Sequence, residues 1–404
     1  MLPRALVIMW VTIDNCCESM KRSTTIGFDA RYAVTDHERY GAYCRMVIGA
    51  MARATSRYGY YRAYVANYNP HKEYTKIEQL HNVETMVPDG ELWRTLRLPW
   101  RLWWINNDLS NGDVELYHGL AEHIPFGLAQ SNIRSVVTIH DMAFLYDKSI
   151  SGTIYNIVKR LYISQLLHRV DRIVAVSECV KRDIVSQFII DPDKVDVVYG
   201  GVAGRYAERV DDDVKAEVRE RYILPQKYVL SVGEQHERRN MAQLIKILPL
   251  LDHELHYVIV GRATSHTSRL LRAAKELGVS DRVHILYKVD ECDMPAIYQS
   301  AAMLLNLSSY EGYASSVAEA MASGIPVIAT RSSCMEEIAE DAAIYVHADN
   351  RDELLSAVHR VLEDEEVRSQ MIRLGRRLVS RFREEVVAYN LLNCYRRVGV
   401  DVRG

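Results

Sequence analysis

Two glutamates eight positions apart, Glu311 and Glu319, flank the small residues Ala314, Ser315 and Ser316 in the segment SSYEGYASSVAEAMASGIPVIAT at 308–330. An apolar run, Met303 to Leu307, leads into the loop that holds Glu311, Gly312 and Tyr313. The pattern predicts a helix from Ser315 or Ser316, with Glu319 in its first turn, stopping at Gly324 with Pro326 just beyond. Strand, loop and helix in that order present unbonded backbone N–H groups to an anion at the helix N-terminus. Side chains as small as Ala314, Ser315 and Ser316 let a phosphate approach closely. Carboxylates beside such a site cannot bind the phosphate. They are placed to accept hydrogen bonds from hydroxyls, as a sugar and a ribose offer. The same residues also read without any ligand: Ser316-Val317-Ala318-Glu319 is a capping box, S-x-x-E, and Glu311-Gly312 an ordinary turn.

Two other positions place charge or a titratable ring at the end of a strand pattern. The run Tyr228–Gly233 is followed by Arg238, Arg239 and Asn240. An Arg fork suits phosphate oxygens and offsets charge on a departing nucleoside diphosphate. Read alone, the pair is more simply a solvated one before a helix, with Asn240 as N-cap. His140 closes the run VVTIHD at 136–141, at the C-terminal end of a strand, where open α/β sheets form their crevice. A lone histidine at a strand end is also commonly structural.

The elements that must position these residues alternate along the whole chain. Strand patterns fall at 25–28, 61–67, 114–118, 135–140 and 172–176, then at 195–199, 228–232, 256–260, 283–287, 302–307, 326–329 and 343–346. Several are continuous apolar runs, the signature of parallel strands buried on both faces. Helical patterns such as Met241, Leu244, Ile245, Leu248 and Leu270, Leu271, Ala274, Leu277 lie between them. Such alternation predicts doubly wound α/β sheets. The charged stretch 208–221 reads as an exposed connection, and fresh strand signal starts at Tyr228. The expected organisation is a tail or mis-called start at 1–19, an N-terminal domain at 20–203, a connection at 204–226, a C-terminal domain at 227–380 and a final helical segment at 381–404.

A chain of 404 residues is long enough for two cores. With 48% hydrophobic and 25% charged residues it has the composition of a folded soluble protein, and a net charge of −3 gives no basic field for nucleic acid. Seven cysteines without a C-x-x-C pair read as reduced thiols, so a cytoplasmic location is expected. No apolar run approaches the length of a membrane span. Trp93, Trp100, Trp103 and Trp104 are interleaved with Arg94, Arg97 and Arg101, and Trp100, Trp103 and Trp104 fall on one helical face. That pattern fits a helix lying peripherally on the inner face of a membrane, although such a helix is more often packed on its own sheet. No metal site is expected: Asp191-Pro192-Asp193 reads as a turn, and His236-Glu237 lacks zinc spacing. No G-x-G-x-x-G or G-x-x-x-x-G-K-[ST] occurs.

The 308–330 segment resembles the E-x7-E signature of retaining GT-B glycosyltransferases of group 1 (family 4), whose usual form is E-G-F-G-L-P-x-x-E-A-M-A-x-G-x-P-V. Glu311-Gly312-Tyr313 and Glu319-Ala320-Met321-Ala322-Ser323-Gly324-Ile325-Pro326-Val327 match; Ala314-Ser315-Ser316 stand where Gly-Leu-Pro is common. Tyr228–Asn240, Asp171–Asp183, Val197–Val202 and Leu116–Gly119 are similar to further family segments, with Gly200 where Asn is frequent. The resemblance implies a GT-B architecture, two Rossmann-like doubly wound domains with a donor/acceptor cleft between them. It implies that the first domain takes the acceptor, a glycan or lipid-linked sugar, and the second a nucleotide sugar. The reaction would be transfer of a hexose with retention, as in a mannosyltransferase of polysaccharide biosynthesis, with no metal or other cofactor. The catalytic positions carried over are His140, beside the transferred sugar, Glu311, and Arg238 and Arg239 on the diphosphate. Donor-binding positions are Glu319, Gly312, Tyr313, Ala314, Ser315, Ser316, Gly233 and Gly41. Gly41 is the one glycine kept in Glu38–Tyr43, where the family has a Gly-rich loop. That departure favours a rival reading, a silent nucleotide-sugar-binding or assembly protein, which the intact Glu311, Glu319 and Arg pair oppose; a second rival on the same fold, a sugar-nucleotide epimerase, would need an acid/base pair at the donor sugar and no acceptor.

Overall fold

The computed structural model describes residues 24–35, 39–70, 72–146 and 153–402. Residues 1–19 and Glu38 lie outside them. Thirteen strands are described: β1 Thr24–Asp29, β2 Gly59–Tyr64, β3 Val83–Met86, β4 Leu116–Gly119, β5 Arg134–Ile139, β6 Arg172–Ala175, β7 Val195–Val197, β8 Lys227–Val232, β9 Leu255–Val260, β10 Val283–Leu286, β11 Met303–Asn306, β12 Val327–Thr330 and β13 Ala343–Val346. They form two sheets, ordered β3-β2-β1-β4-β5-β6-β7 and β10-β9-β8-β11-β12-β13. β3 escapes the sequence reading because Val-Glu-Thr-Met is short, and only Val83 of it is fully buried at the sheet edge.

The apolar runs behave as buried parallel strands should. β11 and β12 are buried along their whole length and pair in parallel, Leu304 with Val327 and Asn306 with Ala329. β8 pairs in parallel with β9 on one side and with β11 on the other. Leu244, Ile245, Ile247 and Leu248 of the helical turns after β8 pack with Val229, Tyr257, Ile259, Met303 and Leu305 in one apolar core. The chain winds outward from β8 through β9 to β10, then returns to β11 on the opposite side. The order reverses between β8 and β11, and doubly wound sheets bind ligands beyond the C-terminal ends of strands at such a reversal.

By its contacts the chain divides into two compact units, residues 1–119, 124–136 and 392–404 in the first and residues 120–123 and 137–391 in the second. In the first, His118 at the end of β4 hydrogen-bonds through Nδ1 to the Tyr395 hydroxyl of the last helix, Glu384–Arg396, 2.7 Å away. Also in the first unit, residues 39–54 are one helix, so the stretch expected as a loop around Gly41 is helical from Arg39. The reason lies in its apolar spacing: Tyr43, Val47, Ile48 and Met51 are all buried along one stripe, and a single glycine does not break it. Trp100 is buried and donates to Asp108 Oδ2 (2.7 Å), whereas Trp103 and Trp104 are exposed. The three therefore do not share an exposed face; residues 100–104 form a π-helical turn that separates them. In the second unit, the charged stretch after residue 208 becomes a helix, Asp212–Tyr222, with only Val218 buried.

Candidate active site

Glu311 and Arg239 meet in the interior of the second unit. Arg239 follows β8 and Glu311 follows β11, so the two loops that bring them together flank the reversal of strand order. Arg239 Nη1 donates to Glu311 Oε1 at 2.5 Å, with side-chain exposures of 4% and 2%. Ser308 Oγ donates to the same oxygen at 3.0 Å. Gly233 gives the guanidinium its room: a Cβ there would lie 2.6 Å from Arg239 Cζ.

The loop carrying Glu311 is tied at both ends. Asn306, at the end of β11, accepts from Ser308 N–H and donates to Ser316 Oγ (3.1 and 3.2 Å). Thr330 at the end of β12 donates to Ser308 O at 2.6 Å. Glu311 N–H donates to Ser333 Oγ at 3.0 Å. Tyr310 donates to Asp183 Oδ2 at 2.6 Å, while Tyr146 donates to Oδ1 at 2.5 Å. Burial, reinforced by Asp183, pushes the Tyr310 phenol far above its ordinary pKa, so it remains a donor.

Gly312 lies against the main chain of His140. A Cβ at 312 would stand 1.8 Å from the His140 carbonyl oxygen, so only glycine fits. Ser177, which caps the helix Glu178–Phe188 by accepting from Val180 N–H, also donates from Oγ to Gly312 O at 2.6 Å. His140 directly follows β5, and its Nε2 is 2.7 Å from Leu120 O. Gly312, Glu311, Arg239 and His140 are thus joined by direct contacts. Arg238 comes with them: its Nη1 donates to Tyr310 O at 2.7 Å, and its Nε has no hydrogen-bond partner among the described residues.

The helix Ser315–Ser323 begins as expected and ends at Gly324, φ +72°. Its N-cap, however, is Ala314, with no side-chain cap. The capping-box reading of Ser316 and Glu319 therefore fails: the helix starts two residues earlier than an N-cap at 316 requires, which also puts Glu319 beyond the first turn where the sequence pattern placed it. Ser316 Oγ faces Asn306, and Glu319 Oε2 accepts from Tyr298 OH at 2.7 Å. Burial first, and the Glu319 charge next, push the phenols of Tyr206 and Tyr313 well up. The carboxylate therefore sits among neutral phenols. The Ser315 and Val317 N–H groups bond to Tyr313 O and Ala314 O. Gly41 belongs to the first unit and the other site residues to the second.

Asp191 accepts from Asp193 N–H as the cap of a short 3-10 turn, as the turn reading of that D-x-D expects. Asp290, Cys292 and Asp293 offer ligand atoms within 4.8 Å of one another, but Asp293 Oδ2 is already held by Arg221 and Tyr222.

A family model, "Glycosyl transferases group 1", matches residues 215–378, and a second, "Glycosyltransferase Family 4", matches 46–203. The chain belongs to the group 1 glycosyltransferases. Among relatives of this group, the O-antigen chain mannosyltransferase RfbU of Salmonella typhimurium is 25% identical over 264 residues, 65% of this chain and 67% of its own. A D-inositol 3-phosphate glycosyltransferase of Salinispora tropica is 27% identical over 57% of this chain and 52% of its own, so the match spans about half of that relative. The solved structure of Anabaena HepE in complex with UDP and glucose superposes over 93% of this chain and 100% of its own, with a TM-score of 0.73 at 16% identity. The fold of this group 1 glycosyltransferase is GT-B, two Rossmann-like parallel-sheet α/β domains.

The buried pair makes a specific demand on stability. Arg239→Met or Glu311→Leu alone leaves an uncompensated buried charge and is expected to cost about 3–5 kcal/mol. The double variant R239M/E311L, which removes both charges, is expected to recover most of that loss. Urea unfolding of the four chains reads this directly, and single variants within about 1 kcal/mol of wild type would show the pair to be energetically idle.

Proposed function

We propose that the protein transfers a hexose from a nucleotide sugar to a hydroxyl of a glycan or lipid-linked sugar, with retention at the anomeric carbon and without a metal. The observation that carries this reading is the junction of Arg238, Arg239, Glu311 and Gly312 with His140, at the loops that flank the reversal of strand order. The bond from the anomeric carbon to the diphosphate oxygen breaks and the acceptor oxygen bonds to that carbon. The acceptor proton leaves with the diphosphate. Arg238 and Arg239 offset the charge that grows on the diphosphate, worth several kcal/mol of barrier in a water-poor site. Glu319 accepts from donor hydroxyls in place of Tyr298, Ala314 to Ser316 leave room for the phosphates, and His140 and Glu311 border the sugar. Gly233 and Tyr313 shape the same donor site.

The name of the Salmonella relative supports a polysaccharide acceptor and a mannose-like donor, and the bound UDP of the Anabaena structure supports a nucleoside diphosphate. A panel of sugar nucleotides, assayed with and without lipid-linked and soluble glycans, tests the reading. Acceptor-dependent release of nucleoside diphosphate that persists in excess EDTA is expected, with the donor's anomeric configuration kept in the product by NMR. Isomerisation of the donor without acceptor would instead indicate an epimerase, and loss of turnover in EDTA restored by Mg²⁺ or Mn²⁺ would overturn the metal-free mechanism.

The same proposal includes peripheral contact with an anionic lipid surface at the inner membrane face. Among the described residues no helix is long and apolar enough to cross a membrane. Leu92, Leu96, Leu98, Trp103 and Trp104 are all exposed in one stretch, with exposed Arg94 and Arg97 between them. Apolar and indole groups flanked by guanidinium groups suit the headgroup region. The protein is expected to float with vesicles containing phosphatidylglycerol and not with pure phosphatidylcholine, and W103S/W104S to lose most of that binding. No flotation with either vesicle would contradict the contact.

A further inference from the structure

The helix Thr153–Arg169 of the second unit is apolar on both its inner and its outer side. Ile163, Leu166 and Leu167, on the inner side, are buried. On the outer side Ile154, Ile157, Val158 and Leu161 recur at i, i+3, i+4 and i+7, one stripe of a helix, with Tyr155 at its edge. All five are 54–80% exposed. The stripe continues into exposed Gln165 and His168, which carry no fixed charge.

A surface helix ordinarily turns its charges outward. Here the mid-helix cations are turned back onto the unit. Lys159 Nζ stands 4.8 Å from the centre of the Phe144 ring and 3.7 Å from Glu122 Oε2. Arg160 Nη2 donates to Gln187 O at 3.3 Å, with Cζ 5.8 Å from the centre of the Phe188 ring. Arg169 closes the last turn, where a cation meets the helix dipole favourably. Tyr162, whose hydroxyl donates to Glu122 O at 3.3 Å, pins the inner flank. The 17 residues contain no Asp or Glu. The outward stripe is therefore apolar and neutral, and a surface that covers it must be apolar and neutral too. An anionic bilayer or an acidic protein would find no cation along it. A second copy of the same stripe has the matching chemistry. At on the order of 100 Å² of exposed surface per side chain, the five present about 500 Å², near the limit that monomers leave uncovered, and two copies bury about 1,000 Å², enough for a specific interface.

We propose that this stripe is the docking surface for a second copy of the chain. Two Thr153–Arg169 helices pack antiparallel about a two-fold axis between Ile157 and Val158, so that Ile154 of each copy meets Leu161 of the other. The arrangement uses one self-complementary patch twice and sets opposite helix ends side by side. It shares no residue with the donor site or with the Trp103 and Trp104 stretch.

Sedimentation equilibrium of the full chain, without detergent, tests this. Wild type is expected to dimerise with a Kd on the order of 10 μM, since a patch of this size must offset the cost of association. In about 1 M NaCl the dimer should be at least as tight, because no ion pair holds it. Val158→Asp brings two carboxylates together at the axis and is expected to weaken association at least hundredfold. I154S/L161S, which adds no charge, is expected to weaken it at least tenfold. These side chains face solvent in the single chain, so melting temperatures taken where wild type is monomeric should match wild type. Leu271→Glu, at an exposed position of the helix Thr267–Glu276, is expected to leave the dimer intact. A wild type still monomeric at ten times the expected Kd overturns the interface, as does a dimer that survives both V158D and I154S/L161S. A monomer that floats with phosphatidylglycerol vesicles and loses flotation in V158D overturns it in favour of a lipid surface.

Discussion

A guanidinium taken out of water keeps its charge, so an arginine buried to 4% exposure requires a carboxylate in fixed geometry. Arg239 finds Glu311, and much of the site follows from that pairing. Glu311 can reach inward only if its loop turns tightly, which Ser308, Ser333 and Thr330 arrange by hydrogen bonds. The turn drives residue 312 against the main chain of His140, where no side chain fits. Ser177 and Asp183, from elements far away in sequence, then hold the loop from the opposite side. One ion pair thereby sets the positions of a cation, an anion, a histidine and a helix start.

The two glutamates of the motif look alike in sequence and differ in environment. Glu311 is locked in an ion pair, while Glu319 is half-buried and bonded to a tyrosine hydroxyl. A phenol partner is exchanged for a ligand hydroxyl at little cost, since one O–H donor replaces another. An ion-pair partner in the interior is not exchanged so readily. Glu319 is therefore suited to ligand recognition and Glu311 to keeping the loop and the guanidinium in place. The half-buried Arg238 has the freedom that Arg239 lacks.

The sheets were legible because buried parallel strands are continuous apolar runs; β3 was not, because Val-Glu-Thr-Met at an edge carries no such run. The site loop was legible through the spacing of Glu311, Gly312 and Glu319. What Glu319 does was not, since S-x-x-E fits a cap equally well and only the actual helix start, at Ser315, decides between them. The helix at 39–54 is legible through the stripe Tyr43, Val47, Ile48, Met51, whose burial outweighs the single glycine at 41.

The central claim is that this junction binds the diphosphate of a nucleotide sugar, and Arg238 is the residue that tests it cleanly. Its removal orphans no buried acid, because its hydrogen bond goes to a backbone carbonyl. Titration calorimetry of UDP, GDP and ADP against wild type and Arg238→Ala is the direct measurement. The account predicts saturable one-site binding of at least one nucleotide to wild type, weakened roughly tenfold or more in R238A, as loss of a charge-assisted contact of about 1.5–3 kcal/mol requires. The melting temperature of the variant should be unchanged. A wild type that binds none of the three, or an R238A chain that binds as tightly as wild type, would contradict it.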